Sequence, residues 1–173
     1  MSIFILNKHE TSLSVPIYTS ELDIIDDERK LFIEEAYKVG GKQSFKTNLK
    51  GIMSSYRVWN QTNLYNNLLS KIKKICQKVT NLPLNHTDAW VGIYKKEHYA
   101  IPHSHYPSLA TFVYYLQVDD NNPTPLRFND SNFTFTPSTN SLIIFPGYMY
   151  HYVPKHKSNI DRIIISGNFD KKK

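Results

Sequence analysis

Two histidines two residues apart, His103 and His105 in "IPHSHYPSLATFVYYL", stand before an apolar, aromatic run. In an extended backbone the side chains of residues i and i+2 leave the same face. A strand that began at these histidines and ran on through Phe112, Val113, Tyr114 and Tyr115 would project two imidazoles together, close enough to share one metal ion. Taken alone, the pair reads as readily as a polar strand end that meets solvent. A third histidine, His151, follows the apolar segment "SLIIFP", and Arg162 opens the last apolar segment, "RIIISGNF". Singly, His151 between tyrosines could be a hydrogen-bonded core residue and Arg162 a surface cation. Taken in order, three imidazoles from two neighbouring strands would occupy one face of an octahedral metal. The positions left open are what a catalytic, as opposed to a structural, metal requires.

The elements that must position these residues follow from periodicity. From Asp88 onward come "WVGIY", "HYAIPHSH", "LATFVYYLQV", "PLRFN", "NFTFT", "SLIIFP", "YMYHYV" and "RIIISGNF", short apolar or alternating segments. Turn formers such as "DDNNPTP", "NDSN" and "PSTN" separate several of them. Strands at this spacing predict a sandwich or jelly roll, a small barrel whose interior can host a site. The first half reads as strand and helix. "SIFIL" and "LSVPIYT" look extended, with Pro16 pointing to an edge strand. "DDERKLFIEEAYKVGG" places acids at its start and glycines at its end, the polarity of a helix. In "TNLYNNLLSKIKKICQKV", Leu64, Leu68, Leu69, Ile72, Ile75, Cys76 and Val79 share one face at helical spacing, and the lysines fall largely on the other. The fold class predicted is mostly β with N-terminal helices (α+β), the helices packed on one face of the sheet. Residues 1–173 read as one domain, with 1–87 as strand and helix support and 88–173 as the barrel core.

Composition narrows the function classes. A chain of 173 residues is long enough to bury a substantial core. Lys and Arg outnumber Asp and Glu by 21 to 15, a formal net charge of +6. Three of these charges, Lys171, Lys172 and Lys173, read as a solvated tail. No basic block interleaved with aromatics marks a nucleic-acid surface. Cys76 is the only cysteine; it excludes an internal disulfide, suits a reducing compartment, and among Ile72, Ile75 and Val79 reads as a small core residue. "MSIFILNKHE" has no basic lead and too short an apolar run for a signal peptide or a membrane span, so a soluble, cytoplasmic protein is expected.

The segments "WVGIY", "PHSH", "VYYL", "PLRF", "LIIFPGYMYH" and "RIIISGNFD", in this order over roughly residues 90–169, resemble the iron(II)- and 2-oxoglutarate-dependent oxygenases. The likeness is greatest to the prolyl-hydroxylase-like branch and its small bacterial and phage members. The resemblance implies a double-stranded β-helix, with Fe(II) held by His103, His105 and His151. It further implies 2-oxoglutarate as cosubstrate, with Arg162 and Tyr115 on its far carboxylate and Tyr94 lining its pocket. A guanidinium forks onto a carboxylate with two parallel bonds, and a phenol adds a donor without charge. The implied reaction consumes O₂, releases succinate and CO₂, and hydroxylates a C–H bond of a prolyl or other peptidyl side chain, or of another substrate. One departure stands out: most of the wider family carries HxD where this chain has His105. Glu97 and Asp88 are the carboxylates nearest to hand, and neither stands at the family's spacing. A triad without a carboxylate leaves copper and nickel strong competitors for iron.

Two other readings use the same residues. A cupin also pairs HxH with a distant histidine, but it usually adds a glutamate soon after; Tyr106 to Leu109 contain no acid, and Arg162 is left without a task. A metal-free jelly-roll module would use the histidines and tyrosines to contact a glycan or peptide. Stoichiometric metal content separates it from an enzyme.

Overall fold

The computed structural model describes residues 7–10, 15–41, 47–129 and 131–171. The chain runs through β1 (Asn7–Glu10), β2 (Pro16–Glu21), α1 (Asp26–Val39), β3 (Leu49–Lys50), β4 (Ile52–Met53) and α2 (Asn66–Thr80). It continues through β5 (Leu84–Tyr94), β6 (Tyr99–His103), β7 (Ala110–Gln117), β8 (Leu126–Phe128), β9 (Thr134–Phe135), β10 (Ser141–Pro146), β11 (His151–Val153) and β12 (Arg162–Lys171). Among the described residues these strands form a seven-stranded sheet, β1-β2-β10-β7-β12-β5-β4, and a five-stranded sheet, β3-β6-β11-β8-β9. From β5 to β12 the chain passes back and forth between the sheets. The inner orders β10-β7-β12-β5 and β6-β11-β8-β9 are those of a double-stranded β-helix, antiparallel throughout.

Strand alternation sorts the side chains into two cores. On β7, Phe112, Tyr114 and Leu116 join the helix-side core with Leu68, Ile72 and Phe32. Val113 and Tyr115 turn the other way, into the barrel, with Tyr94, Phe145 and Ile164. α1 carries Asp26, Asp27 and Glu28 in its first turn, at the positive end of its dipole, and buries Phe32, Ala36 and Val39. α2 buries Leu68, Leu69, Ile72, Ile75 and Cys76 and ends at Asn81, whose φ of 54° is a left-handed stop. Among the described residues no helix is long and apolar enough to cross a membrane.

Several expectations change. "SIFIL" lies outside the described residues, as do Lys172 and Lys173, whereas Lys171 ends β12. β2 is an inner strand, paired with both β1 and β10; Pro16 is tolerated because it is the first residue of the strand. Leu64 precedes α2 and is exposed. The barrel's first strand begins at Leu84, ahead of Asp88.

His86 on β5 illustrates how the helices are sealed onto the sheet. Its Nε2 faces the Leu69 carbonyl at 3.0 Å and its ring lies 4.3 Å from that of Phe169. Burial lowers its pKa to about 4. The unfolded chain therefore binds a proton that the folded chain refuses, so this contribution to stability is complete above the ordinary histidine pKa and is lost as pH falls toward about 4. Unfolding in urea is expected to show wild type losing about 2 kcal/mol more than His86→Gln between pH 7 and about pH 5. An equal loss in both proteins would show that His86 titrates normally.

Candidate active site

His103 is the last residue of β6 and His151 the first of β11, and the two strands pair with these residues directly opposite. His105 lies beyond the end of β6. The run Phe112–Tyr115 belongs to the next strand, so the histidine pair closes one strand instead of opening the other, and alternation along a strand is not what brings His105 to the site. The turn after β6 does so, through the His105 N–H, which donates to the Gly147 carbonyl at 2.6 Å. Gly147 in turn donates to the Leu109 carbonyl at 3.2 Å. A Cβ on Gly147 would run into the Ser108 carbonyl.

The three rings converge. Their centroids are 5.0 Å apart for His103 and His105, 4.4 Å for His103 and His151, and 5.1 Å for His105 and His151. One nitrogen from each lies within 4.8 Å of the others. His103 Nδ1 faces the Ile101 carbonyl at 2.7 Å and His151 Nδ1 the Met149 carbonyl at 2.9 Å. Each carbonyl takes the Nδ1 proton and leaves Nε2 as a lone-pair donor, the arrangement of metal-bound histidines. Burial lowers the pKa of all three, His105 to about 3, so they are neutral at pH 7, the form that binds metal. Among the described residues no carboxylate joins them. Glu97 is exposed and pairs with Lys155 at 3.0 Å, and Asp88 accepts from Asn168 Nδ2 at 2.8 Å. The donor set fits a divalent transition metal.

Arg162 enters the same cavity from β12. It is 1% exposed, and its guanidinium lies 4.5 Å from the ring centre of Tyr94 and 5.0 Å from that of Tyr115. Nη2 donates to the Tyr115 hydroxyl in a long bond of 3.4 Å, while Nε and Nη1 are buried with no partner. A buried cation with two of its nitrogens unmet is costly unless an anion completes it, and a carboxylate is the anion that a guanidinium binds most readily. Burial raises the pKa of both tyrosines, Tyr115 to about 12, against the opposing pull of Arg162; both stay neutral. Tyr94 lines the cavity. Tyr115 is inside the barrel as alternation requires, yet it stands behind Arg162 and is not one of the cavity's wall residues.

The cavity measures about 100 Å³ and also takes in Tyr56, Trp90, Ser166 and Asn168, which sequence reasoning did not single out. Counting by twos from Tyr94 along β5 reaches Trp90, and from Arg162 along β12 reaches Ser166 and Asn168, so alternation held the signal. Asn168 accepts from Thr111 Oγ1 at 2.8 Å while holding Asp88. Cation and polar string thus mark opposite ends of one interior, with the histidines between.

No protein-family model and no curated protein sequence matches the chain. Solved structures do. A viral collagen prolyl hydroxylase from Paramecium bursaria Chlorella virus-1, in complex with 2-oxoglutarate, is 16% identical at a TM-score of 0.69, over 88% of this chain and 94% of that one. A Pseudomonas putida prolyl-4-hydroxylase is 12% identical at a TM-score of 0.70, over 92% and 95%. HygX from Streptomyces hygroscopicus, with nickel and 2-oxoglutarate bound, is 9% identical at a TM-score of 0.72, over 91% and 84%. At these identities the likeness is one of fold, and it extends over nearly the whole chain.

Proposed function

We propose that this chain is an Fe(II)- and 2-oxoglutarate-dependent dioxygenase that hydroxylates a C–H bond, with a prolyl or other peptidyl side chain as its substrate. The observation that carries this reading is a single cavity with two unmet demands: three neutral imidazoles with convergent lone pairs, and a buried guanidinium lacking an anion. A metal answers the first and the far carboxylate of a 2-oxo diacid the second. The peptidyl substrate is proposed by likeness to the two prolyl hydroxylases that share the fold over nearly the full chain.

His103, His105 and His151 would hold the iron. When bound, ferrous iron supplies O₂ activation coupled to oxidative decarboxylation of the 2-oxo acid, which yields succinate and CO₂. The chain's own groups do the rest. The Arg162 guanidinium takes the far carboxylate and fixes the length and direction of the diacid. Tyr94 and Tyr115 cover the guanidinium and keep water from it, which strengthens the ion pair. Trp90 and Asn168, at the other end, face the space left for a substrate.

Anaerobic loading with Fe(II), followed by O₂ and 2-oxoglutarate, is expected to release succinate, with the rate rising when a proline-containing peptide library is added. Absence of succinate from iron-loaded protein, with and without peptides, would sink the reading.

Neighbouring tyrosines on one strand separate cosubstrate binding from fold stability. Tyr115→Phe removes the hydroxyl that accepts from Arg162 Nη2, and the KM for 2-oxoglutarate is expected to rise by about two- to fivefold with the melting temperature little changed. Tyr114 turns to the helix side and donates to Asn140 Oδ1 at 2.9 Å. Tyr114→Phe is expected to cost about 1 kcal/mol of stability with that KM unchanged. The opposite pattern would mean that β7 is out of register by one residue.

A further inference from the structure

Two of the three imidazoles are fixed through their second nitrogen, by the carbonyls of Ile101 and Met149. The ring of His105 has no hydrogen-bond partner among the described residues. Its backbone is tied to Gly147, which sets its Cα but leaves the ring free to turn about two bonds. Apart from the other two imidazoles, what the ring does have is Trp90, with centroids 5.6 Å apart and planes 32° from parallel. Trp90 comes from β5, in the opposite sheet, and is 7% exposed. Behind it Tyr56 packs edge-on, centroids 5.6 Å apart at 72°, which stops the indole from swinging away.

We infer that Trp90 is the positioning residue of the His105 ligand: its ring face holds the plane of this imidazole, as a carbonyl does for each of the other two, without choosing which nitrogen carries the proton. A ligand free to rotate must be ordered each time metal binds, and removing outer partners of metal-bound histidines typically weakens binding by about 10- to 100-fold. Held by a face instead of a hydrogen bond, His105 keeps its ring plane while either nitrogen stays available. Trp90 touches neither metal nor cosubstrate in this role and acts only through His105.

Because the role presupposes that the triad holds a metal, the test reads metal affinity directly. Metal-free protein is titrated with Ni(II) or Co(II) by calorimetry, with Trp90→Leu and Trp90→Phe each made in wild type and in a His105→Ala background. Trp90→Leu is expected to weaken binding by about tenfold and Trp90→Phe, which keeps a flat ring, by about threefold. In the His105→Ala background both losses should vanish, the signature of coupling through one residue. Losses that persist undiminished there, or wild-type affinity in both variants, would overturn the role. Should Trp90→Leu lower the melting temperature sharply, Trp90→Phe in the two backgrounds decides by the same criterion. Failure of wild type to bind either ion would instead overturn the metal reading itself, an outcome visible before any variant is made.

Discussion

Replacing Arg162 with methionine is expected to raise the KM for 2-oxoglutarate at least about tenfold, because a bidentate, charge-assisted pair is lost and nothing in the cavity replaces it. Affinity for Ni(II) or Co(II) should stay within about twofold of wild type, since no metal bond is touched. The cosubstrate-free protein should not be destabilised, and this is the sharper part of the expectation. In wild type without an anion, the guanidinium carries two buried nitrogens whose N–H groups no acceptor meets. Methionine keeps much of the volume and removes that cost, and exchanging buried charge for packed hydrocarbon is often neutral or stabilising. The contrast to measure is a melting temperature that rises with 2-oxoglutarate in wild type but stays flat, from an equal or higher start, in Arg162→Met. A large fall in the melting temperature of the variant, or an unchanged KM, would remove Arg162 from the proposed role.

His151→Ala should have the largest effect of all. It removes the most buried of the three rings and the one directly opposite His103. Two imidazoles remain, and metal affinity is expected to fall by about 100-fold or more, with succinate release undetectable. Wild type at about 100 times its dissociation constant for Ni(II) should gain about 2.7 kcal/mol of stability, and the variant at the same concentration almost none. Retention of most of that gain by His151→Ala would mean that the metal sits elsewhere. The absence of a carboxylate from the triad gives the measurement a second use. Held by three neutral ligands, a bound metal would keep its full double positive charge and would draw the diacid together with Arg162.

Much of this was legible in the residues. Short apolar or alternating segments separated by turn formers marked the strands of the barrel, and the order of HxH, His151 and Arg162 marked the side chains that converge. What misled was local. The histidine pair is contiguous in sequence with the aromatic run, but the chain turns between His105 and Ala110, and no periodicity reveals where one strand stops. Pro16 reads as an edge signal because proline lacks a donor, yet the first position of an inner strand tolerates it equally well. β3 and β4 are two residues each, too short to carry a pattern. Trp90 and Asn168 were missed for a different reason. Their types do not announce chemistry, and their importance comes from a partner on another element, His105 across the barrel for one and Asp88 on the paired strand for the other.

Gly147 extends that point to the way such a chain can change over generations. It contributes no side chain to the cavity, and yet its two backbone groups stitch it to the turn that carries His105, with the Ser108 carbonyl where any β-carbon would have to go. Selection for the proposed metal centre would therefore reach a residue that no inspection of the ligands would single out. Among random variants, those at position 147 should be purged as severely as changes at the histidines themselves, whereas the exposed tyrosines at 148 and 150, on either side of Met149, are free to drift. A mutational scan would trace the turn as well as the triad.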